Sequence, residues 1–275
     1  MEQYVRVVRY LIHLFPLKNR VSSYKFLNMG YVFDFNATKA YEKWCDQPQH
    51  RSAMNREIRL TFELLNPIRG RSVLDIGCGL GICLKAFLDA GLEVTGLDPS
   101  PYMLDIAAAC LGHRADIHRG VAEDLPFDDN SFHYSCLIKT LEFVNDPEKA
   151  LEEAFRVTRE RVFIGLVNRH AFSPDKNKPA DLPASFCRHA CFLSVKKLKK
   201  MIRDLAGDVP ISWRTLWGVP QPSRKISEKL MLVPLIQQIP VSMYFGVVVT
   251  LTPRFKTRPL AMTYAAKQHE MKGCA

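Results

Sequence analysis

Short apolar runs alternate with helical periods through the middle of the chain. Residues 72–77 read Ser-Val-Leu-Asp-Ile-Gly, an apolar run without polar alternation, which is the pattern of a strand buried on both faces of a parallel sheet. From Leu80 to Ala90 the apolar positions recur at helical spacing. The alternation continues as a strand over 93–98, a helix over 101–111, strands over 117–120 and 132–138, a helix over 147–158 and a strand over 161–166. Strands separated by helices predict a parallel sheet, because right-handed crossovers lay each helix on a sheet face. All strand C-termini then share one edge, and ligands collect there at the point where strand order reverses.

The flanks extend this frame. An amphipathic stretch from about Arg56 to Leu65 presents Ile58, Leu60, Phe62, Leu64 and Leu65 and stops before Pro67, as a helix that delivers the chain into the first strand. Residues 167–193 carry Pro174, Pro179 and Pro183 and read as a long loop over the ligand edge. Ser194 to Leu205 reads as a helix bearing Lys196, Lys197, Lys199 and Lys200, and Ile211–Leu216 and Tyr244–Leu251 read as the last two strands. An insertion over 219–242 separates those two. With 275 residues the chain has room for one embellished α/β domain and not for two catalytic ones. The expected organisation is a basic, aromatic lid segment over 1–55 and one cofactor domain over 56–275.

Chemistry enters where the first strand ends. Val73 to Gly81 reads Val-Leu-Asp-Ile-Gly-Cys-Gly-Leu-Gly, so three alternate glycines occupy a strand-to-helix turn, and the next strand ends in Gly96-Leu97-Asp98. Missing side chains at such a turn let a ligand lie against the backbone. An acid at the tip of the next strand is placed to accept from two adjacent ribose hydroxyls. An adenosine-containing cofactor follows. The dinucleotide spacing Gly-x-Gly-x-x-Gly fails at Ile82, and no phosphate-cradling Gly-x-x-x-x-Gly-Lys-Ser/Thr occurs.

Asp75-x-Gly77-x-Gly79-x-Gly81 with Asp98 resembles the first two motifs of the class I S-adenosylmethionine (SAM) methyltransferases. In register with it, Gly120-Val-Ala-Glu-Asp-Leu-Pro-Phe-Asp-Asp-Asn-Ser-Phe132 resembles the third motif, and Leu141-Glu-Phe-Val-Asn-Asp-Pro147 resembles the segment after it. Ala40-Tyr41-Glu42-Lys43-Trp44 is similar to the Tyr-x-x-Trp segment that precedes the first motif in the type 11 subgroup, which includes quinone-biosynthesis methyltransferases. The resemblance implies a Rossmann-like, seven-stranded, mostly parallel sheet with helices on both faces and an antiparallel last strand. It also implies SAM as cofactor. Its motifs place Asp75, Gly77, Cys78, Gly79, Gly81, Asp98, Pro99 and Met103 around the cofactor, with Ala122 and Glu123 toward the adenine and Lys139 after the fourth strand. Two positions depart from the pattern: Val121 stands where many relatives carry an acid, and His133 follows Phe132 where Asp is common. His133 opens its strand, far from the ligand edge, and reads as structural.

No catalytic residue is fixed by these motifs. Glu142 and His170 are the candidates for a base, the first after the fourth strand and the second just past the fifth, beside Asn168 and Arg169. SAM carries its own leaving group, so the demand on the protein is to place the acceptor in line and exclude water. Tyr24, Phe26, Tyr31, Phe33, Phe35, Tyr41 and Trp44 give the lid an aromatic character suited to a planar, small-molecule or lipid-like acceptor, although burial in the core accounts for each equally well.

The formal charge of +10 is unevenly placed. Residues 1–33 hold five Lys/Arg against one acid, 34–187 hold 18 against 23, and 188–275 hold 15 against four. Basic flanks around an acidic core are compatible with peripheral contact to an anionic membrane surface, and a solvated surface explains them as well. RNA methylation is the runner-up reading, disfavoured because no recognisable nucleic-acid module occurs; a non-catalytic scaffold of the same fold is the third, opposed by the intact glycine triplet and Asp98. No stable protein partner is evident. Eight scattered cysteines read as thiols in a cytoplasmic setting, and Cys187-Arg-His189-Ala-Cys191 lacks the tight ligand pairs of a zinc site, so no metal is expected. The run Tyr10–Phe15 is interrupted by His13 and is too short for a secretory signal, and no apolar run reaches the roughly 18 residues of a membrane span.

Overall fold

In a computed structural model, residues 30–167, 189–216 and 244–251 are described. Seven strands form one sheet in the order β3-β2-β1-β4-β5-β7-β6. The strands are β1 Ser72–Ile76, β2 Glu93–Asp98, β3 Asp116–Arg119, β4 Phe132–Ile138, β5 Thr158–Val167, β6 Ile211–Leu216 and β7 Tyr244–Thr250. Strands β1 to β5 pair in parallel, and β7 runs antiparallel to both β5 and β6. The expected fold class is the observed one.

Six α-helices complete the described part: α1 Phe35–Cys45, α2 Pro48–Leu65, α3 Ile82–Asp89, α4 Pro101–Leu111, α5 Pro147–Val157 and α6 Val195–Ala206. None of these helices is long and apolar enough to cross a membrane. Sheet pleating assigns each strand residue to one of two cores. Leu74, Ile76, Val162, Ile164, Leu166, Val247 and Val249 pack with α5 and α6 on one face. Val73, Tyr134, Phe163 and Val248 face the other way, onto α2, α3 and α4. This two-sided burial is why the strands read as continuous apolar runs.

Caps and prolines set the helix starts. Asp34 Oδ1 accepts from the Ala37 amide at 2.8 Å, Ser100 Oγ from Met103 at 3.3 Å, and Asp146 Oδ1 from Lys149 at 3.0 Å. Pro101 and Pro147 take the first helical position behind two of those caps, where a missing N–H costs nothing. On α6, Val195, Leu198, Met201 and Ile202 are buried, and the Lys199 ammonium lies 4.3 Å from the centre of the Trp213 ring.

Two expectations need correction. Helix α2 starts at Pro48 rather than near Arg56, so the boundary placed between residues 55 and 56 falls inside one continuous helix. Its end was legible: Asn66 adopts the left-handed conformation and Pro67 follows. Strand β5 is also longer than 161–166, because β4 and β7 both pair along it. The insertion at 219–242, most of the 167–193 loop, and residues 1–29 with Tyr24 and Phe26 lie outside the described residues.

Candidate active site

The cleft lies at the C-terminal edge of the sheet, where β1 is flanked by β2 on one side and β4 on the other. Strand order reverses there, since β2 and β3 extend one way and β4 and β5 the other. Gly77, Gly79 and Gly81 all have positive φ, at 76°, 51° and 78°. The amides of Gly77 and Cys78 both donate to Leu97 O, at 2.7 and 3.0 Å, which ties the turn to β2. A Cβ on Gly77 would lie 2.5 Å from the Thr140 side chain, so only glycine fits between β1 and the segment after β4.

Asp98 completes the turn. Its Oδ2 accepts from the Gly79 amide at 3.0 Å and its Oδ1 from the Ser100 amide at 2.8 Å. A carboxylate offers about four lone-pair sites, so two remain for vicinal hydroxyls in the cleft. Burial pushes the Asp98 carboxyl up to about 6, against the pull of those two amide hydrogen bonds. Asp75 is 2% exposed, also lines the cleft, and its Oδ1 has no hydrogen-bond partner among the described residues. Burial, with the Asp98 charge adding to it, raises Asp75 to about 7. A buried acceptor left open in this way calls for a cationic or donating ligand group.

The lid residues Gly30 to Asp34 cross over β1. The Tyr31 amide donates to Phe143 O at 2.8 Å, and Ser100 Oγ donates to Phe33 O at 2.6 Å, so the segment is pinned to the loops after β4 and β2. A Cβ on Gly30 would collide with Phe143 O. Phe33 packs against Phe143 and Tyr41 with ring centres 5.6 and 5.8 Å apart, and the His189 ring stacks on Tyr31 at 4.2 Å. The cleft holds a cavity of about 150 Å³.

Of the sequence-derived cofactor residues, Asp75, Gly77, Cys78, Gly79, Asp98, Pro99, Met103, Ala122, Glu123 and Lys139 all line this cleft. Gly81 does not. Its absent Cβ would sit 3.0 Å from the Ala107 Cβ and 3.2 Å from Leu111, so it is the glycine that lets α3 start close against α4. Glu123 Oε1 accepts from the Asn145 and Asp146 amides at 2.8 and 3.3 Å, fixing the start of α5. The Lys139 ammonium is 2.6 Å from Glu57 Oε2. Glu142 is 1% exposed and outside the cleft wall; its Oε1 accepts from the Val167 amide at 2.8 Å, and burial raises its carboxyl to about 7. His170, Asn168 and Arg169 lie outside the described residues. His133 sits at the far edge, with Nδ1 2.8 Å from Ser72 Oγ.

Glu57 is a charged cleft residue that the motifs missed. It continues the stripe of His50, Met54, Thr61 and Leu65, which together with Leu60 are the buried positions of α2. A carboxylate in such a stripe is the signal that would have found it.

A family model described as a methyltransferase domain matches residues 74–164. An uncharacterized protein of Methanocaldococcus jannaschii is 32% identical over 176 residues, 63% of this chain and 80% of that one. A demethylmenaquinone methyltransferase of Renibacterium salmoninarum is 40% identical over 103 residues, 37% of this chain and 42% of that protein. Among solved structures, a SAM-dependent methyltransferase of Thermotoga maritima, described as a possible histamine N-methyltransferase, superposes with a TM-score of 0.57 at 28% identity, covering 77% of this chain and 94% of that one. The chain belongs to the class I SAM-dependent methyltransferases. The cofactor of this methyltransferase is SAM, and the open Asp75 oxygen, the spare Asp98 lone pairs and the side-chain-free glycine turn fit its amino, ribose and backbone-facing parts. The chain spans less than half the length of its Renibacterium relative, so the two share the cofactor region.

Proposed function

We propose that this protein transfers the methyl group of SAM to a small-molecule or lipid-like acceptor that enters beside the lid. One observation carries the reading: a single cleft runs from Asp98 and the glycine turn to a wall of Tyr31, Phe33, Tyr41 and Phe143. The adenosine half of a cofactor has its recognition groups at β1 and β2, and the aromatic half remains for the acceptor. When bound, the sulfonium supplies an activated methyl group. The protein's own residues then bind, orient and exclude water: Asp98 holds the ribose, Asp75 faces the amino group, and Gly30 to Asp34 roof the reacting space. The small molecules named for the Renibacterium and Thermotoga relatives support an acceptor of that size.

The test is transfer of label from methyl-labelled SAM to a panel of small aromatic and isoprenoid-tailed acceptors. Label should appear in at least one such compound and depend on Asp98. Label entering only RNA would contradict the reading.

A further inference from the structure

The wall of the cleft nearest β4 carries a charge pair that the cofactor-recognition groups leave unexplained. Glu57 on α2 and Lys139 after β4 both line the cleft, with side chains only 14% and 10% exposed. Burial lowers the Lys139 pKa, and the Glu57 charge and hydrogen bond more than offset it, so the ammonium stays charged. Lys139 also occupies the left-handed backbone region, at φ 55°, which is strained for a residue with a side chain. Its amide donates to Gly165 O at 2.7 Å, which holds that turn in place. A buried ion pair adds little to stability over apolar residues of the same volume.

The pair is set apart from the ribose site. Strands β2, β1 and β4 are consecutive neighbours, so Asp98 and Lys139 stand two strand spacings, roughly 10 Å, apart across the sheet edge. Tyr31, Phe33, Tyr41 and Phe143 line the same cleft.

We propose that Glu57 and Lys139 recognise the acceptor, and that the acceptor presents to them a hydroxyl on a planar conjugated ring, of the phenol or enol class. This rests on the methyl-transfer reading above. The pair offers a carboxylate and an ammonium side by side, and a hydroxyl complements both by donating to Glu57 and accepting from Lys139. An acceptor carboxylate would face the charge of Glu57, and an acceptor ammonium that of Lys139. The aromatic wall selects for a flat ring. In the reaction the hydroxyl proton passes to the Glu57 carboxylate while Lys139 steadies the oxygen. That oxygen bonds to the methyl carbon as the methyl–sulfur bond breaks and leaves its electron pair on sulfur. Glu57 gains a proton and the sulfonium becomes a neutral thioether, so the net charge of the site is unchanged.

The probes are 4-nitrophenol, 4-nitroaniline and 4-nitrobenzoate, titrated by absorbance into the full chain loaded with S-adenosylhomocysteine. The nitrophenol should bind about tenfold or more tighter than the other two. Lys139→Met should weaken it by a similar factor, and Glu57→Gln should turn the bound probe toward its phenolate spectrum, because the cation then lacks its carboxylate. Lys139→Met leaves a lone buried charge, so the double variant Glu57→Gln/Lys139→Met, which has none, is measured as well. It should stay folded, as read by circular dichroism, and no longer distinguish the probes. Absent nitrophenol binding, equal affinity of the three probes for the unmodified chain, or undiminished discrimination in the double variant overturns the proposal. Failure of the unmodified chain to bind S-adenosylhomocysteine overturns the methyl-transfer reading instead.

Discussion

The Gly79 amide donates to Asp98 Oδ2 across 3.0 Å, so the glycine turn after β1 and the acid at the tip of β2 form one unit. The acid shapes the loop at the cleft and keeps lone pairs that the proposed function assigns to the ribose.

Asp98→Asn should therefore weaken S-adenosylhomocysteine binding about tenfold to a hundredfold, the range expected when hydrogen bonds to a charged acceptor are lost, at roughly 1.5–3 kcal/mol. Calorimetric titration of the variant beside the unmodified chain checks this.

Cofactor affinity should also rise with pH. Asp98 is pushed up to about 6 and Asp75 to about 7, and in the proposed site both would accept from the ligand's donors as carboxylates. Protonation removes those acceptors, so affinity falls as pH drops from 8 to 5. Titrations across that range should show the fall, and Asp98→Asn should flatten its lower part.

Stability has the opposite pH sign at Asp75. Its native pKa, about 7, lies above its ordinary 3.8, so the native state binds the proton more tightly than the unfolded chain does between those values. Native stability from this group is lost as pH rises through that window, by on the order of a few kcal/mol. Without cofactor, Asp75→Asn should raise the melting temperature at pH 8 and give no gain at pH 4, as read by thermal unfolding.

Two glycines with the same backbone separate strain from collision. Gly70 and Gly77 have φ of 77° and 76°, but a Cβ on Gly70 meets nothing within 4 Å, whereas one on Gly77 meets Thr140 at 2.5 Å. Gly70→Ala should cost about 1 kcal/mol in urea unfolding, and Gly77→Ala clearly more, since overpacking adds roughly 1–3 kcal/mol.

Much of the frame was legible because its central strands are buried on both faces, while the edge strands β3 and β6 are mostly half-buried or exposed. The strands at 93–98, 132–138 and 211–216 and the helix at 101–111 have the bounds read from the chain. What was not legible depends on contacts between distant residues. Polar Gln49, Arg51, Ser52 and Asn55 mask the apolar stripe in the first turns of α2, so its start was read late. Glu57 passes for a solvated side chain until Lys139, from the end of another strand, is placed 2.6 Å away. Gly81 shares the spacing of the cofactor glycines and instead makes room for Ala107 and Leu111 on α4. Helix packing of that kind leaves no mark in the motif.

Direct titration of the purified chain with SAM and S-adenosylhomocysteine is the measurement closest to the central claim. Saturable binding of both at one site, in the micromolar range and dependent on Asp98, is the predicted result. No binding of either to the folded chain would contradict it.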